Sequence, residues 1–243
     1  MKKTSASSGS RGGSGKPTSG SSSAAKPTGK SGGGRTGKGS SQPKGPGEVR
    51  IIGGEWRGRR LQFSAQEGLR PTLDRYRETL FNWLMFDVEG ARCLDLFAGS
   101  GALGLEALSR GAAQVDFVDA NTKVCTDLRA NLNKLGSDKG RVWHSNAEAW
   151  LRAHRGDLAA GSTGPYDLVF LDPPFHQDLL QDCIHLLETS GWLAPQAKVY
   201  LEAEKGFDRS KLPYHWRIHR EKDGGNKIFL LLIREPEHPL APV

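Results

Sequence analysis

The middle of the chain alternates short apolar runs with segments of helical spacing. The five apolar runs cover residues 92–97, 114–119, 141–144, 166–172 and 198–203, and the helical segments cover about 102–110, 122–135, a short stretch from 147, and 179–188. Parallel strands have to be joined by crossover connections, which are usually helices, so this order predicts an α/β fold with a mostly parallel sheet. Residues 216–220 and 227–233 flank a turn and predict a C-terminal antiparallel hairpin that completes seven strands.

Two smaller elements precede this alternation. Residues 49–63 contain two short strand-like runs joined through Gly53 and Gly54, which predicts a β-hairpin with one basic face. A segment of amphipathic helical spacing follows Pro71, and Thr72 is a candidate N-cap residue for it.

The N-terminal segment differs from the rest of the chain in composition. Residues 1–47 hold seven Lys, two Arg, no acidic residue and 25 Gly or Ser, so they cannot bury enough apolar surface to offset the entropy of ordering. We therefore expect a disordered tail over 1–47 and one domain over 48–243, made of the basic hairpin (48–68) and a Rossmann-like core (69–243). The whole chain carries +7, but the domain alone carries −2. The +9 tail would either speed encounters with a polyanion such as RNA or remain a solvated extension.

Several classes of protein are excluded by simple counts. No run approaches the roughly 20 apolar residues of a membrane-spanning helix, and Lys2 and Lys3 are followed by no apolar signal-peptide region, which predicts a soluble, intracellular protein. Cys93, Cys125 and Cys183 are far apart and lack metal-ligand spacing. We expect each to be a small buried hydrophobic residue, with no disulfide framework and no metal site.

A glycine-rich loop follows the first of the five apolar runs. Gly99, Gly101 and Gly104 fit the pattern GxGxxG between a strand and a helix, and Asp119 ends the next strand about 20 residues after Gly99. In a doubly wound fold this loop holds a cofactor and the acid accepts hydrogen bonds from ribose hydroxyls. On spacing alone the cofactor could be a dinucleotide or S-adenosylmethionine, and the glycines could also serve a tight turn only. The neighbouring Phe97 and Leu103 are included among the candidate cofactor contacts.

One polar side chain bears on the choice of cofactor, and another lies near the expected adenine pocket. Asp95 directly precedes the loop, where a carboxylate would repel a pyrophosphate but would pair with the ammonium group of S-adenosylmethionine. It could instead cap the loop by accepting backbone hydrogen bonds. Asn146 and Ala147 follow the third strand, beside the expected adenine pocket, and Asn146 is equally suited to be the N-cap of the next helix.

The most specific local signal is Asp172-Pro173-Pro174-Phe175 at the end of the fourth strand. Two prolines remove backbone donors and fix the chain, so the carbonyl groups before them point outward without ladder partners. The Asp172 carboxylate and a rigid carbonyl could then accept both protons of an exocyclic base amine, while Phe175 offers a face for an extruded base. The alternative is a proline turn that ends a strand above a buried Phe.

Arginine is concentrated ahead of the glycine-rich loop. Planar, permanently charged guanidinium groups suit RNA phosphates, and an ordinary solvated or Glu-paired surface is the alternative. Arg70 and Arg75 could instead point into the cofactor cleft, and Arg70 and Thr72 are counted with the cofactor contacts. The candidate RNA contacts are Arg50, Arg57, Arg59, Arg60, Arg75 and Arg77.

With these motifs in place, the chain resembles the RsmD family, the bacterial 16S ribosomal RNA guanine-N2 methyltransferases. The similarity runs from about Arg50 to Arg234 and rests on residues 50–54, 57–59, 69–72, 74–75, 77–84, 95–110, 145–147, 172–175 and 219–222. Many amino methyltransferases share the Asp-Pro-Pro-Phe box, whereas the segments 50–54 and 70–72 are more particular to the family. Two features depart from the family pattern: Asp119 stands where many relatives have Glu, and the tail is extra.

This resemblance implies a class I S-adenosylmethionine-dependent methyltransferase fold and transfer of a methyl group to the N2 amine of one guanine in 16S ribosomal RNA. It also implies a cytoplasmic enzyme, expected to be a monomer, acting on the 30S subunit or its assembly intermediate. Alternatives are an adenine-N6 methyltransferase on DNA or RNA, and a non-catalytic RNA-binding assembly factor. An NAD-dependent oxidoreductase would leave the Asp172-Pro-Pro-Phe175 segment unexplained.

Overall fold

A computed structural model describes residues 47–64, 74–154, 164–174 and 179–235. The strands are β1 (Gly47–Arg50), β2 (Arg60–Phe63), β3 (Arg92–Asp95), β4 (Gln114–Asp119), β5 (Gly140–His144), β6 (Tyr166–Leu171), β7 (Leu193–Glu204), β8 (Trp216–Asp223) and β9 (Lys227–Arg234). The α-helices are α1 (Asp74–Trp83), α2 (Ala102–Ser109), α3 (Thr122–Leu135), α4 (Ala147–Ala153) and α5 (Leu179–Thr189), and a 3₁₀ turn covers Arg209–Lys211. The tail predicted over 1–47 lies, but for Gly47, outside the described residues, as does Thr72 with its predicted N-cap role.

Seven strands form one sheet in the order β5-β4-β3-β6-β7-β9-β8. The strands β3 to β7 are mutually parallel, and β9 is antiparallel to both of its neighbours. This confirms the predicted mostly parallel sheet with a C-terminal antiparallel hairpin. The order reverses between β3 and β6, which are hydrogen-bonded neighbours with Asp95 opposite Phe170. Ligands of doubly wound sheets bind beyond the carboxyl ends of the strands at such a reversal point.

Alternating residues of the central strands feed two hydrophobic cores. In β6, Leu168 and Phe170 pack into the core shared with α1, α2 and α3, whereas Val169 and Leu171 pack into the core shared with α4 and α5. All four side chains are 1% exposed or less. Full burial of a side chain of this size stabilises the fold by about 1.5–3 kcal/mol, so the sheet between the two cores is a rigid platform for the loops at its edge.

The N-terminal hairpin is separate from the large sheet and packs against α3. The Ser64 amide donates to Asp127 at 2.7 Å, and the Asn131 side chain donates to the Gln62 carbonyl at 3.0 Å. Its two strands are four residues long, so the connection over 51–59 is longer than the expected Gly-Gly turn. The longer connection contacts helix α2, because the amides of Ile52 and Gly53 donate to the Glu106 carboxylate.

The three cysteines are free thiols buried in the interior, as predicted for small hydrophobic residues. Among the described residues, no helix is both long and apolar enough to cross a membrane. Within the same ranges, no group of three or more His, Cys, Asp or Glu side chains is arranged to hold a metal ion.

Candidate active site

Four polar residues singled out in the sequence lie at the same edge of the sheet. Asp95 and Asp119 end β3 and β4, Asn146 follows β5, and Asp172 follows β6. Because these strands are parallel neighbours, their carboxyl ends open onto one side of the sheet. The fold therefore brings the cofactor loop and the Asp172-Pro173-Pro174 segment together across the β3–β6 pair.

The glycine-rich loop is fixed by its own backbone and by Asp119. Gly99 and Gly101 adopt left-handed backbone angles, with φ of 50° and 75°, which residues with a Cβ rarely take. The Gly99 amide donates to one Asp119 oxygen at 2.9 Å, and the Asn121 amide donates to the other at 2.8 Å. Asp119 thus orients the loop and remains half-buried at the end of β4.

Gly104 lets helix α2 approach the sheet closely. A Cβ at this position would lie 2.3 Å from Cε1 of Phe117 in β4 and 3.0 Å from Oδ2 of Asp95. The adjacent Leu103 is buried in the core, and Phe97 is half-buried against the opposite core. The third glycine of the motif therefore serves helix packing, and neither apolar side chain is freely exposed at the edge.

Asp95 is the last residue of β3, directly before the glycine-rich loop, and it is only 3% exposed. Its Oδ2 accepts a hydrogen bond from the Gly104 amide at 3.0 Å, which is the capping contact considered from the sequence. Burial raises the pKa of this carboxyl to about 7, the Gly104 hydrogen bond opposes that effect, and the nearby Asp119 adds to it. A cationic partner favours the ionised form of a carboxyl group, and the effect is larger for a buried carboxyl group than for a solvated one.

Asn146 is the N-cap of α4. Its Oδ1 accepts hydrogen bonds from the amides of Glu148 and Ala149, at 2.9 and 3.3 Å, while the residue itself is exposed. The cap uses the side-chain oxygen, and the amide nitrogen takes no part in it. The adenine contact therefore remains a prediction that is compatible with the cap, and Ala147 is buried just behind it.

The Asp172-Pro173-Pro174 segment leaves β6 at this edge. Pro173 is buried and Pro174 is exposed, while the Asp172 side chain is 27% exposed toward the cleft. Burial and the neighbouring Glu202 carboxylate raise the pKa of Asp172, whereas the Lys227 ammonium lowers it. Phe175 lies outside the described residues, so its stacking role stays a prediction.

Three residues of the C-terminal strands complete the site and were missed from the sequence. Lys227 lies 3.8 Å from the Asp172 carboxylate and 2.7 Å from that of Glu202, and the Tyr200 hydroxyl donates to Glu202 at 3.0 Å. The sequence signal that could have identified Glu202 is an acidic residue within an apolar run of the strand. Their convergence on Asp172 depends on the pairing of β7 with β9, which the sequence did not specify.

The predicted RNA-contacting arginines fall into two groups. Arg50, Arg57, Arg59, Arg60 and Arg75 are exposed. Arg60 pairs with Glu48, and Arg75 lies over the Tyr76 ring, 4.6 Å from its centroid. Arg70 and Thr72 lie outside the described residues.

For Arg77 the RNA prediction is wrong. Its side chain is 1% exposed and is held by the Arg50 carbonyl at 2.7 Å, by Asp74 at 2.6 Å and by the Glu106 carboxylate at 3.9 Å. A guanidinium enclosed in this way cannot reach a phosphate in solution. Arg77 instead joins α1 to α2 and to the N-terminal hairpin.

Comparison with known proteins gives consistent matches over the same region. A family model described as conserved hypothetical protein 95 matches residues 49–233. A protein named ribosomal RNA small subunit methyltransferase D, from Escherichia coli strain K12, is 47% identical over 193 residues, or 79% of this chain and 93% of that protein. The protein of the same name from Haemophilus influenzae is 44% identical over 186 residues, or 75% of this chain and 92% of that protein.

Solved structures agree with these sequence matches. The structure titled putative methyltransferase yhhF from Escherichia coli is 46% identical, with a TM-score of 0.69. The alignment covers 79% of this chain and all of that one.

Proposed function

The chain belongs to the RsmD family of methyltransferases, and from this premise we propose that it transfers a methyl group from S-adenosylmethionine to the exocyclic N2 amine of a guanine in 16S ribosomal RNA. Relatives named ribosomal RNA small subunit methyltransferase D support the small-subunit RNA as substrate. We further propose a monomer that acts in the cytoplasm on the 30S subunit or an assembly intermediate.

The residues around the glycine-rich loop fit S-adenosylmethionine better than a dinucleotide. Carboxylates end both β3 and β4, and the buried Asp95 lies directly against the loop, so a pyrophosphate would meet negative charge at close range. The same carboxylates suit an ammonium group and ribose hydroxyls. Asp95 would hold the ammonium, Asp119 the ribose, and Asn146 with Ala147 the adenine. When bound, the cofactor supplies an electrophilic methyl group on a sulfonium.

The observation that carries the proposal is the place of Asp172. It follows β6, the strand paired with β3, so it lies at the same edge of the sheet as the cofactor loop, and its side chain is 27% exposed. Pro173 and Pro174 provide no backbone donors, which leaves acceptor groups to meet an amine. An exocyclic amine is a weak nucleophile because its lone pair is delocalised into the ring. Acceptors on both protons would favour a pyramidal nitrogen, and the remaining acceleration would come from positioning.

The substrate base has to leave its stack to reach this cleft. Extrusion costs a few kcal/mol, which Phe175 would offset in part by stacking, at about 1–3 kcal/mol per base. The exposed Arg50, Arg57 and Arg59 of the hairpin region would hold the flanking phosphates. In this division of labour the arginines position the RNA, and the Asp172 pocket selects the base by its amine.

The proposal is tested by incubating the full chain with radiolabelled S-adenosylmethionine and small subunits from cells that lack the corresponding activity. We expect label in the RNA with the unmodified chain and none with Asp172→Ala, while Asp172→Ala still binds the cofactor. Asp138→Ala is the matched control, since this exposed acid lies in the loop that precedes β5, at the amino ends of the parallel strands, and it should retain transfer. Loss of cofactor binding in Asp172→Ala would contradict the role assigned to it.

A further inference from the structure

A compact charged cluster lies behind Asp172. Lys227 on β9 contacts both the Glu202 carboxylate on β7, at 2.7 Å, and the Asp172 carboxylate, at 3.8 Å. The Tyr200 hydroxyl donates to the other Glu202 oxygen at 3.0 Å. Glu202 and Tyr200 are each 1% exposed, whereas the Asp172 and Lys227 side chains are each 27% exposed. The cluster therefore extends from the protein interior to the substrate side of the site.

Within the described part of the chain, this cluster has more carboxylates than cations when every group is ionised. Among the described residues, Asp172 and Glu202 supply two negative charges beside the Lys227 cation, and Asp95 adds another acid nearby. Ionising two adjacent carboxyl groups in a poorly solvated place costs free energy. One proton shared between them removes the excess negative charge. A hydrogen bond between the Asp172 and Glu202 carboxyl groups is consistent with such sharing. Burial, with both carboxylates nearby, raises the pKa of Tyr200, so it remains a neutral donor.

We propose that Glu202 and Lys227 are positioning residues that set the orientation and charge of Asp172, so that the Asp172 carboxylate accepts the proton released when the bound amine is methylated. The inference rests on the proposed function. In the balanced step the amine nitrogen forms a bond to the methyl carbon, and the electron pair of the carbon–sulfur bond remains on sulfur. The nitrogen, then positively charged, transfers one proton to Asp172, and the proton is afterwards exchanged with solvent from this partly exposed side chain.

The two neighbours act on Asp172 in opposite directions. The Glu202 carboxylate disfavours ionisation of Asp172, and the Lys227 ammonium favours it. An ion pair that only fastened β7 to β9 would not require Lys227 to lie between two carboxylates at the cleft. This opposition separates a role in setting the charge of Asp172 from a purely structural role.

The test is a pH titration of the Asp172 carboxyl carbon by ¹³C NMR in the cofactor-free full chain, with Asp172→Asn to assign the signal. Glu202→Gln retains the size of the side chain and a hydrogen-bond acceptor but removes its charge, so the Asp172 midpoint should fall by about one pH unit or more. Lys227→Met should move the midpoint upward by a similar amount. Lys205→Met is the matched control, because Lys205 is 62% exposed and pairs with Asp223, and it should leave the midpoint in place.

The pH profile of methyl transfer provides the second measurement. If Asp172 has to be ionised to act, the acidic limb of kcat should move with the NMR midpoint, downward in Glu202→Gln and upward in Lys227→Met. The inference would be overturned if the Asp172 midpoint moved in the same direction in Glu202→Gln and Lys227→Met, or if it did not move in either folded variant. This holds even if the unmodified chain methylates RNA. Absence of transfer by the unmodified chain would refute the proposed function, and with it the proton-acceptor step, whereas the titration would still decide whether Glu202 and Lys227 control Asp172.

Discussion

Arg77 and Glu106 face each other inside the protein, with 3.9 Å between guanidinium and carboxylate and no more than 1% of either side chain exposed. Glu106 also accepts the amides of Ile52 and Gly53, both at 2.8 Å, and Arg77 donates to the Arg50 carbonyl at 2.7 Å. The pair therefore fastens the segment that follows β1 to α1 and α2. This gives the Arg50–Gly54 stretch a structural role.

Removal of one member of this pair should be costly. Glu106→Gln removes a buried carboxylate that pairs with Arg110 at 2.7 Å and faces Arg77 at 3.9 Å, while Arg77 keeps its contact with the exposed Asp74. We expect the free energy of unfolding to fall by about 3–5 kcal/mol. The measurement is equilibrium denaturation in urea. Glu48→Gln is the control, because its pair with Arg60 is on the surface and is worth less than about 1 kcal/mol. Equal losses in the two variants would show that the buried pair is not important for stability.

The glycine-rich loop can be probed with two glycines of similar backbone conformation. Gly101 and Gly136 have φ of 75° and 70°, but a Cβ at Gly101 would lie 2.4 Å from Cδ2 of the buried Leu128, whereas a Cβ at Gly136 meets nothing within 4 Å. Gly136→Ala should cost about 1–2 kcal/mol of stability from backbone strain alone. Gly101→Ala should cost about 1–3 kcal/mol more from overpacking and should also weaken cofactor binding. Calorimetry of binding and unfolding checks both, and equal behaviour of the two variants would refute the close packing.

Asp95 predicts a pH dependence with a defined sign. Its pKa of about 7 in the folded chain, against 3.8 for a free side chain, means that its stabilising contribution is full below about pH 4 and is lost as the pH rises through 7. The cofactor ammonium needs the ionised form. Affinity for S-adenosylmethionine should therefore increase between pH 5.5 and 7, by up to about tenfold per pH unit.

Asp95→Asn should bind the cofactor weakly and without this pH dependence. Asp138→Asn, an exposed acid in the loop before β5, is the control and should follow the unmodified chain. Titration calorimetry over the pH range measures the effect, and an affinity that is flat in the unmodified chain would contradict the assignment of Asp95 to the ammonium group.

The exposed arginines predict a salt effect on RNA binding. Arg57→Gln and Arg59→Gln should each reduce the slope of log affinity against log salt concentration by about 1, as expected for one lost phosphate contact. Arg152 pairs with Glu148 on α4, whose buried side chains join the other core, so Arg152→Gln should leave the slope unchanged. Filter binding to 16S RNA at several salt concentrations is the measurement. If the hairpin variants match the Arg152 variant, the hairpin does not contact the RNA backbone.

Much of the architecture could be predicted because it depends on the spacing of apolar residues along the chain. The alternation of apolar runs and helical segments gave the strand and helix order, and the parallel sheet then brought Asp95, Asp119 and Asp172 to one edge. Arg77 was wrongly assigned to RNA, although its position carried a signal. It lies three and four residues before Leu80 and Phe81, on the apolar face of α1, and all three side chains are buried.

The cluster behind Asp172 could not be predicted from periodicity. Glu202 and Lys227 are 25 residues apart, and their contact depends on the register in which Glu204 lies opposite Lys227. A sequence pattern specifies which residues share a face of a strand, but the cross-strand partner is set by packing of the whole sheet. The charge balance around Asp172 therefore became visible only with the fold.

The central claim is that this chain methylates the N2 amine of a guanine in small-subunit ribosomal RNA. The most direct measurement is nucleoside analysis by mass spectrometry of 16S RNA from unmodified small subunits incubated with the chain and labelled S-adenosylmethionine. We predict labelled N2-methylguanosine, and we expect none when Asp172→Ala is used. Label in methyladenosine, or RNA binding without any incorporation, would contradict it.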